Sequence, residues 1–129
     1  MTSKELLEAV ATWLNDAGLL AGLNIKYYRW VDTAAKGEVD FALFRIAGGS
    51  GLGDSIVRQP DIKILIVGKE SAIEATNNKA DAIFKKIGGT ESPDLVVKIE
   101  PLAVVMGPYF MDNGRCGFEI NARCFVEGM

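Results

Sequence analysis

Histidine is absent from the 129 residues, and that one omission excludes Ser-His-Asp and Cys-His nucleophile pairs, His-coordinated zinc and an imidazole proton shuttle near neutral pH. Cysteine is nearly as scarce. Cys116 and Cys124 have seven residues between them, which fits neither a redox CxxC pair nor a four-ligand metal framework. Along one continuous strand they would lie roughly 26 Å apart at about 3.3 Å per residue, beyond disulfide reach, so buried free thiols are expected. Proline numbers only 4, so a proline-rich linker or fibrous repeat is ruled out. Long apolar runs are missing too: no segment approaches the roughly 18 consecutive apolar residues that span a bilayer. Met1-Thr2-Ser3-Lys4-Glu5 opens without a basic region followed by an apolar stretch, so a soluble protein made inside the cell is expected.

What is present supports a proper core. Hydrophobic residues make up 49% and charged residues 24%, and a chain of this length against about 150 residues per domain predicts one domain over 1–129. Fourteen Lys and Arg against 17 acids leave a net charge of −3, which disfavours the basic face that phosphate-backbone binding needs.

Thr2-x-x-Glu5 has capping-box spacing, and Leu6, Leu7, Val10, Trp13, Leu14 and Ala17 recur at helical intervals before Gly18, predicting an amphipathic helix over 3–17. Ile25 to Val31 is rich in aromatic and β-branched residues and reads as a strand. With Gly37 marking a turn, it is expected to pair as a hairpin with a second strand, Phe41 to Ile46. Ile62 to Val67 carries apolar residues on both alternating sets, as a central strand covered on each face does. Ser71-x-x-Glu74 repeats the capping spacing and predicts a helix over 71–87. Leu95 to Ile99 follows as a strand bounded by Pro93 and Pro101, with Val104 to Met106 extending it beyond a break. Asp112-Asn113-Gly114-Arg115 carries the Asn-Gly pair of a type I′ hairpin turn. Beyond it, the even positions from Cys116 to Val126 are all apolar and face one layer, placing both cysteines on the core side. The order α-β-β-β-α-β-β lacks strict βαβ alternation. It predicts an α+β fold, a mostly antiparallel sheet with two helices packed on one face.

Few residue groups invite chemistry. The tract Gly48 to Ser55 lets backbone amides approach an anion, but Asp54 stands where a Walker loop has lysine and where a dinucleotide fingerprint has its last glycine. A flexible hairpin loop is the better reading. Tyr27-Tyr28-Arg29-Trp30 mixes aromatics with a cation. Tyr28 and Trp30 share one face and Tyr27 and Arg29 the other, so one of these pairs is expected in the core, with a subunit interface as the remaining reading. Asp112, Glu119 and Glu127 near the last hairpin are read as solvated, since a carboxylate pair needs an enclosed pocket to separate its pKa values. No catalytic, cofactor-binding or metal-ligating residues are assigned.

The succession of an amphipathic amino-terminal helix, two strands, the Phe44-Arg45-x-x-Gly48-Gly49-Ser50 stretch, a strand into a second helix, and a closing hairpin through Gly107-Pro108-Tyr109 and Asp112-x-Gly114-Arg115 resembles the tail terminator proteins of long-tailed phages and prophages. The likeness runs over nearly the whole chain. It implies a non-enzymatic virion assembly protein without cofactors, built in the host cytoplasm, that caps the tail tube as a homo-oligomeric, hexameric ring. Such a ring ends tube polymerisation and presents the head-docking surface. Implied partners are further copies of the chain, the tail tube protein and a head-tail connector protein, with no membrane and no specific nucleic acid, although DNA passes through the ring. The loop of Gly48, Gly49, Ser50, Gly51, Leu52, Gly53 and Asp54 resembles the family's long mobile loop, and Arg45 and Arg58 beside it are expected as exposed cations that meet acids on a neighbouring ring. Residues 32–40, with Ala34-Ala35-Lys36-Gly37, have no fixed place in the family layout. Two alternatives stand beside this reading: a head-completion or neck protein of similar size, and a small cytoplasmic enzyme or ligand-binding protein using the glycine-rich loop and Asp54.

Overall fold

The computed structural model describes residues 1–29, 40–50, 57–111 and 114–127. The chain begins with α1 (Ser3–Asp16), held by the expected capping box: the Glu5 amide donates to Thr2 Oγ1 at 3.1 Å and the Thr2 amide to Glu5 Oε1 at 3.3 Å. Gly18 ends the helix region at φ 77°, which costs glycine little. The strands β1 (Asn24–Tyr27), β2 (Phe41–Ser50) and β3 (Val57–Gly68) precede α2 (Ile73–Ile87), and β4 (Val96–Pro101), β5 (Met106–Phe110) and β6 (Cys116–Glu127) close the fold. One six-stranded sheet results, with strand order β1-β2-β3-β6-β4, and β5 lies beyond β4 along the same edge of β6.

The α+β class and the mostly antiparallel sheet agree with the pattern, and four expectations are corrected. The first two strands do not form a hairpin: β1 runs parallel to β2, with Asn24 opposite Phe41 and Tyr27 opposite Phe44. Parallel neighbours cannot be joined by a tight turn, and neither the aromatic and β-branched composition nor a glycine between the two segments carries strand direction. β1 also stops at Tyr27, because Tyr28 turns into the left-handed region at φ 68°; the expected turn at Gly37 falls outside the described residues. The second capping box does not form: Ala72 is the residue before α2 and contributes no side-chain hydrogen bond. Instead, the Thr76 hydroxyl donates to the Ala72 carbonyl at 2.7 Å. Finally, the stretch after the Pro101 break is a separate strand, β5, so the order is α-β-β-β-α-β-β-β. β5 turns back into β6 at the predicted hairpin, where the Gly114 amide donates to the Met111 carbonyl at 2.8 Å and Gly114 sits at φ 85°.

The apolar alternation of β6 is realised in full. Cys116, Phe118, Ile120, Ala122, Cys124 and Val126 are buried beside Ile62, Ile64 and Ile66 of β3 and Phe44 of β2. Leu6, Leu7, Val10 and Leu14 from α1 and Ala80, Ile83 and Ile87 from α2 complete this cluster, so the helices share one face of the sheet. β3 is central, between β2 and β6, but its two faces differ: Ile62, Ile64 and Ile66 are fully buried, whereas on the reverse Lys63 and Leu65 are half-buried and Val67 alone of Lys63, Leu65 and Val67 is buried. Both cysteines are free and buried on the core side.

Candidate functional site

β1 covers β2 only as far as Phe44, while β2 continues to Ser50 against β3. The outer edge of Arg45–Ser50 therefore has no strand neighbour among the described residues; this end of β2 is an arm on that side alone, because β3 behind it stays paired with β6 as far as Val57. Its tip depends on glycine. The pairing register shifts between Ile46 and Gly49, with Gly48 at φ 109° and Gly49 at φ 129°. A Cβ on Gly49 would run into the Gln59 carbonyl and stand 2.6 Å from Pro60 Cα. Only glycine meets both demands. The expected interface residues divide accordingly: Arg45 is exposed on the arm beside Lys63, and Gly48, Gly49 and Ser50 belong to the end of β2. Arg58 lies on β3, opposite Val126, and is half-buried rather than exposed. Gly51, Leu52, Gly53 and Asp54 lie outside the described residues.

The sheet face opposite the helices carries a band of matched charges. Lys63 Nζ stands 2.9 Å from Glu119 Oε1. Arg123 grips Asp61 through two bonds, Nε to Oδ1 at 2.8 Å and a terminal nitrogen to Oδ2 at 3.2 Å. Hydrogen bonding to Asp61, then its charge, raises the Arg123 pKa above the ordinary value. Burial, and secondarily the Asp61 charge, pushes the Cys124 thiol up to about 12, the opposite of what a nucleophilic thiolate requires. Among the described residues no group of three or more His, Cys, Asp and Glu is placed to hold a metal, and no helix is long and apolar enough to cross a membrane.

Sequence reasoning missed Arg115. Only 3% exposed, it donates from Nε to the Gly68 carbonyl at 3.4 Å, lies over the Phe41 ring at 5.2 Å, and approaches Asp40 Oδ1 at 3.8 Å. Asp40 also faces Lys79 of α2 at 3.6 Å. This cluster joins the start of β2, α2 and the start of β6, a structural role that a residue beside a turn signal does not advertise.

The exposed apolar residues were also missed. From Pro101 to Met111 the chain has no charged residue, and Leu102, Val104, Tyr109 and Phe110 are exposed along this edge. An uncharged run this long on an edge is the signal that was available. A groove of about 820 Å³ lies between it and α2, lined by Ile73, Asn77, Phe84, Val104 and Pro108 among others. A second groove of about 410 Å³ lies between α1 and the segment before β4, between Trp13 and Leu95, with Glu5, Glu8, Asp16 and Asp94 around it. Of the aromatic stretch, Tyr27 packs on Phe44 at 6.2 Å between ring centres, whereas Tyr28 is exposed and Trp30 lies outside the described residues.

Arms, open sheet edges and exposed apolar strips define an α+β protein whose distinctive features are surfaces. Residues 3–128 match the family model described as phage tail termination protein, and the chain belongs to that family. It is therefore a structural component of phage tail assembly, located in the virion tail. A chain from the virion of a native gene transfer agent particle has the same fold, with a TM-score of 0.64 at 13% identity over 95% of each chain. No curated protein matches the sequence.

Proposed function

We propose that this chain closes into a homo-oligomeric ring, of about six copies, on the end of the tail tube, stops tube growth, and offers its other face to a head-tail connector protein. The observation that carries this reading is the family match along nearly the whole chain. In a ring of head-to-tail contacts, one annular face must fit the tube protein while the other must not recruit another tube ring, so termination is a mismatch of faces. No bond is made or broken, and neither catalyst nor cofactor is needed. The arm fits the tube-contacting role: Arg45 is exposed on it, and the loop from Gly48 to Asp54, with Arg58 on its far side, leaves from its tip. DNA passes through the ring without being gripped, since a chain of net charge −3 has no general attraction for a polyanion. Assembly takes place in the host cytoplasm.

The test is to add the purified chain to polymerising tube subunits and measure tube lengths by electron microscopy. Bounded lengths with a ring at one tip are expected. Lengths indistinguishable from those without the chain would overturn the reading.

A further inference from the structure

Among the described residues, two other than glycine have positive φ: Tyr28 at 68° and Leu95 at 69°. A bulky side chain there is a true outlier, and such strain persists where something else depends on it. Both residues are also exposed, Tyr28 by 48% and Leu95 by 66%. Tyr28 immediately follows β1, one edge of the sheet, and Leu95 immediately precedes β4, the opposite edge. By register Tyr28 is level with Arg45, Lys63 and Asn121, and Leu95 lies just before the Val96–Val126 pair, nearer the tip of the arm.

Their surroundings are complementary. Tyr28 is flanked by exposed Lys26 and Arg29, and its turn is held by bonds from the Tyr28 amide to the Phe44 carbonyl at 2.9 Å and from the Arg29 amide to the Tyr27 carbonyl at 2.8 Å. Leu95 occupies the third position of a turn closed by the Val96 amide on the Pro93 carbonyl at 3.2 Å, and it forms one side of the 410 Å³ groove. Trp13 supplies an aromatic wall, and Glu5, Glu8, Asp16 and Asp94 make the rim acidic. Tyrosine and arginine are both enriched among the residues that anchor interfaces. An apolar groove with an acidic rim suits that pair, by contact for the ring and by charge for the guanidinium.

We propose that Tyr28 and Arg29 of one copy seat in the Leu95–Trp13 groove of the next, and that this is the subunit contact of the ring. A knob beside β1 and a different patch, the socket between α1 and Leu95, form a heterologous contact, the kind that propagates round a circle and closes when the rotation permits. The contact rests on the ring reading and specifies its chemistry.

Cysteine crosslinking tests it directly, because both native thiols are buried. The double variant Tyr28→Cys/Leu95→Cys, oxidised at high concentration and separately on tube tips, should give a disulfide ladder of dimers, trimers and higher species ending at the closed ring. Either single variant should give no ladder. Wild-type chain is assayed for tube length in parallel. Bounded tubes without a ladder overturn this contact and leave the terminator reading standing; a ladder with unbounded tubes does the reverse; neither result removes both. Arg29→Glu, an exposed change that leaves the circular dichroism unaltered, should weaken assembly at least tenfold. Assembly at wild-type concentrations would overturn the contact.

Discussion

The two faces of the sheet are built from the same strands and behave as different materials. On β3, Ile62, Ile64 and Ile66 disappear beneath two helices, while Lys63, one residue away on the reverse, holds Glu119 at 2.9 Å near solvent. On β6, Ile120 and Cys124 belong to the core, while Glu119 and Arg123 complete the ion pairs. Stability therefore resides on the helix side, where apolar area leaves water. The charged side contributes little to folding, because ion pairs near solvent gain little over their hydrated forms. A face that the fold does not need for its stability is free to serve as a surface.

Four measurements would break or sharpen that contrast. The largest effect belongs to the core: Phe44→Ala, at a fully buried position, should destabilise the chain by about 3–5 kcal/mol in denaturant unfolding, and a loss under about 1 kcal/mol would remove Phe44 from the core. Next comes the arm, where Gly49→Val imposes positive φ on a β-branched residue and drives a side chain into the β3 backbone. A cost of about 1–3 kcal/mol is expected, together with lost tube capping, and wild-type stability would show that the register break is not required. Thr2→Ala deletes the α1 cap and should cost about 0.5–2 kcal/mol. The smallest effect is on the open face: a double-mutant cycle on Lys63 and Glu119 should return about 0.2–1 kcal/mol, falling with salt, and a coupling above about 2 kcal/mol would refute the contrast between faces.

The buried thiol adds a pH signature to the core side. Burial holds Cys124 protonated to about 12, against an ordinary thiol value of 9.0, so between those values the unfolded chain loses the proton and the native chain keeps it. The unfolded state then binds fewer protons, and the native advantage, fully present below pH 9.0, declines as pH rises towards about 12. Cys124→Ala should flatten that alkaline decline in stability measured from pH 8 to 11. An identical slope in the variant would assign the decline to other groups. In the native protein at pH 8, neither cysteine should react with a thiol reagent.

Much of this was legible before any coordinates. The Thr2–Glu5 box, the apolar stripe of α1, the even-numbered face of β6 and the hairpin at Gly114 are local patterns whose physics acts within a few residues, although the bond from the Gly114 amide to the Met111 carbonyl makes Gly114 the last residue of its turn and not a central one of a type I′ turn. The Ser71–Glu74 spacing matched a cap that did not form, and the parallel pairing of β1 with β2 left no mark on either strand. The end of β2 was partly legible: Gly48 to Ser50 fall there, as glycine's use at strand ends suggests. By contrast, the burial of Arg115, and the position of Tyr28 and Leu95 on opposite edges, depend on residues far away in sequence.

Periodicity, caps and turn chemistry by themselves determined which segments are helices or strands and which side of each is apolar, because those preferences are settled between near neighbours along the chain. Strand direction, strand order and the pairing of one edge with another were decided only when the sheet closed. They depend on contacts between residues far apart in the chain, and no local preference records which distant partner a strand will meet.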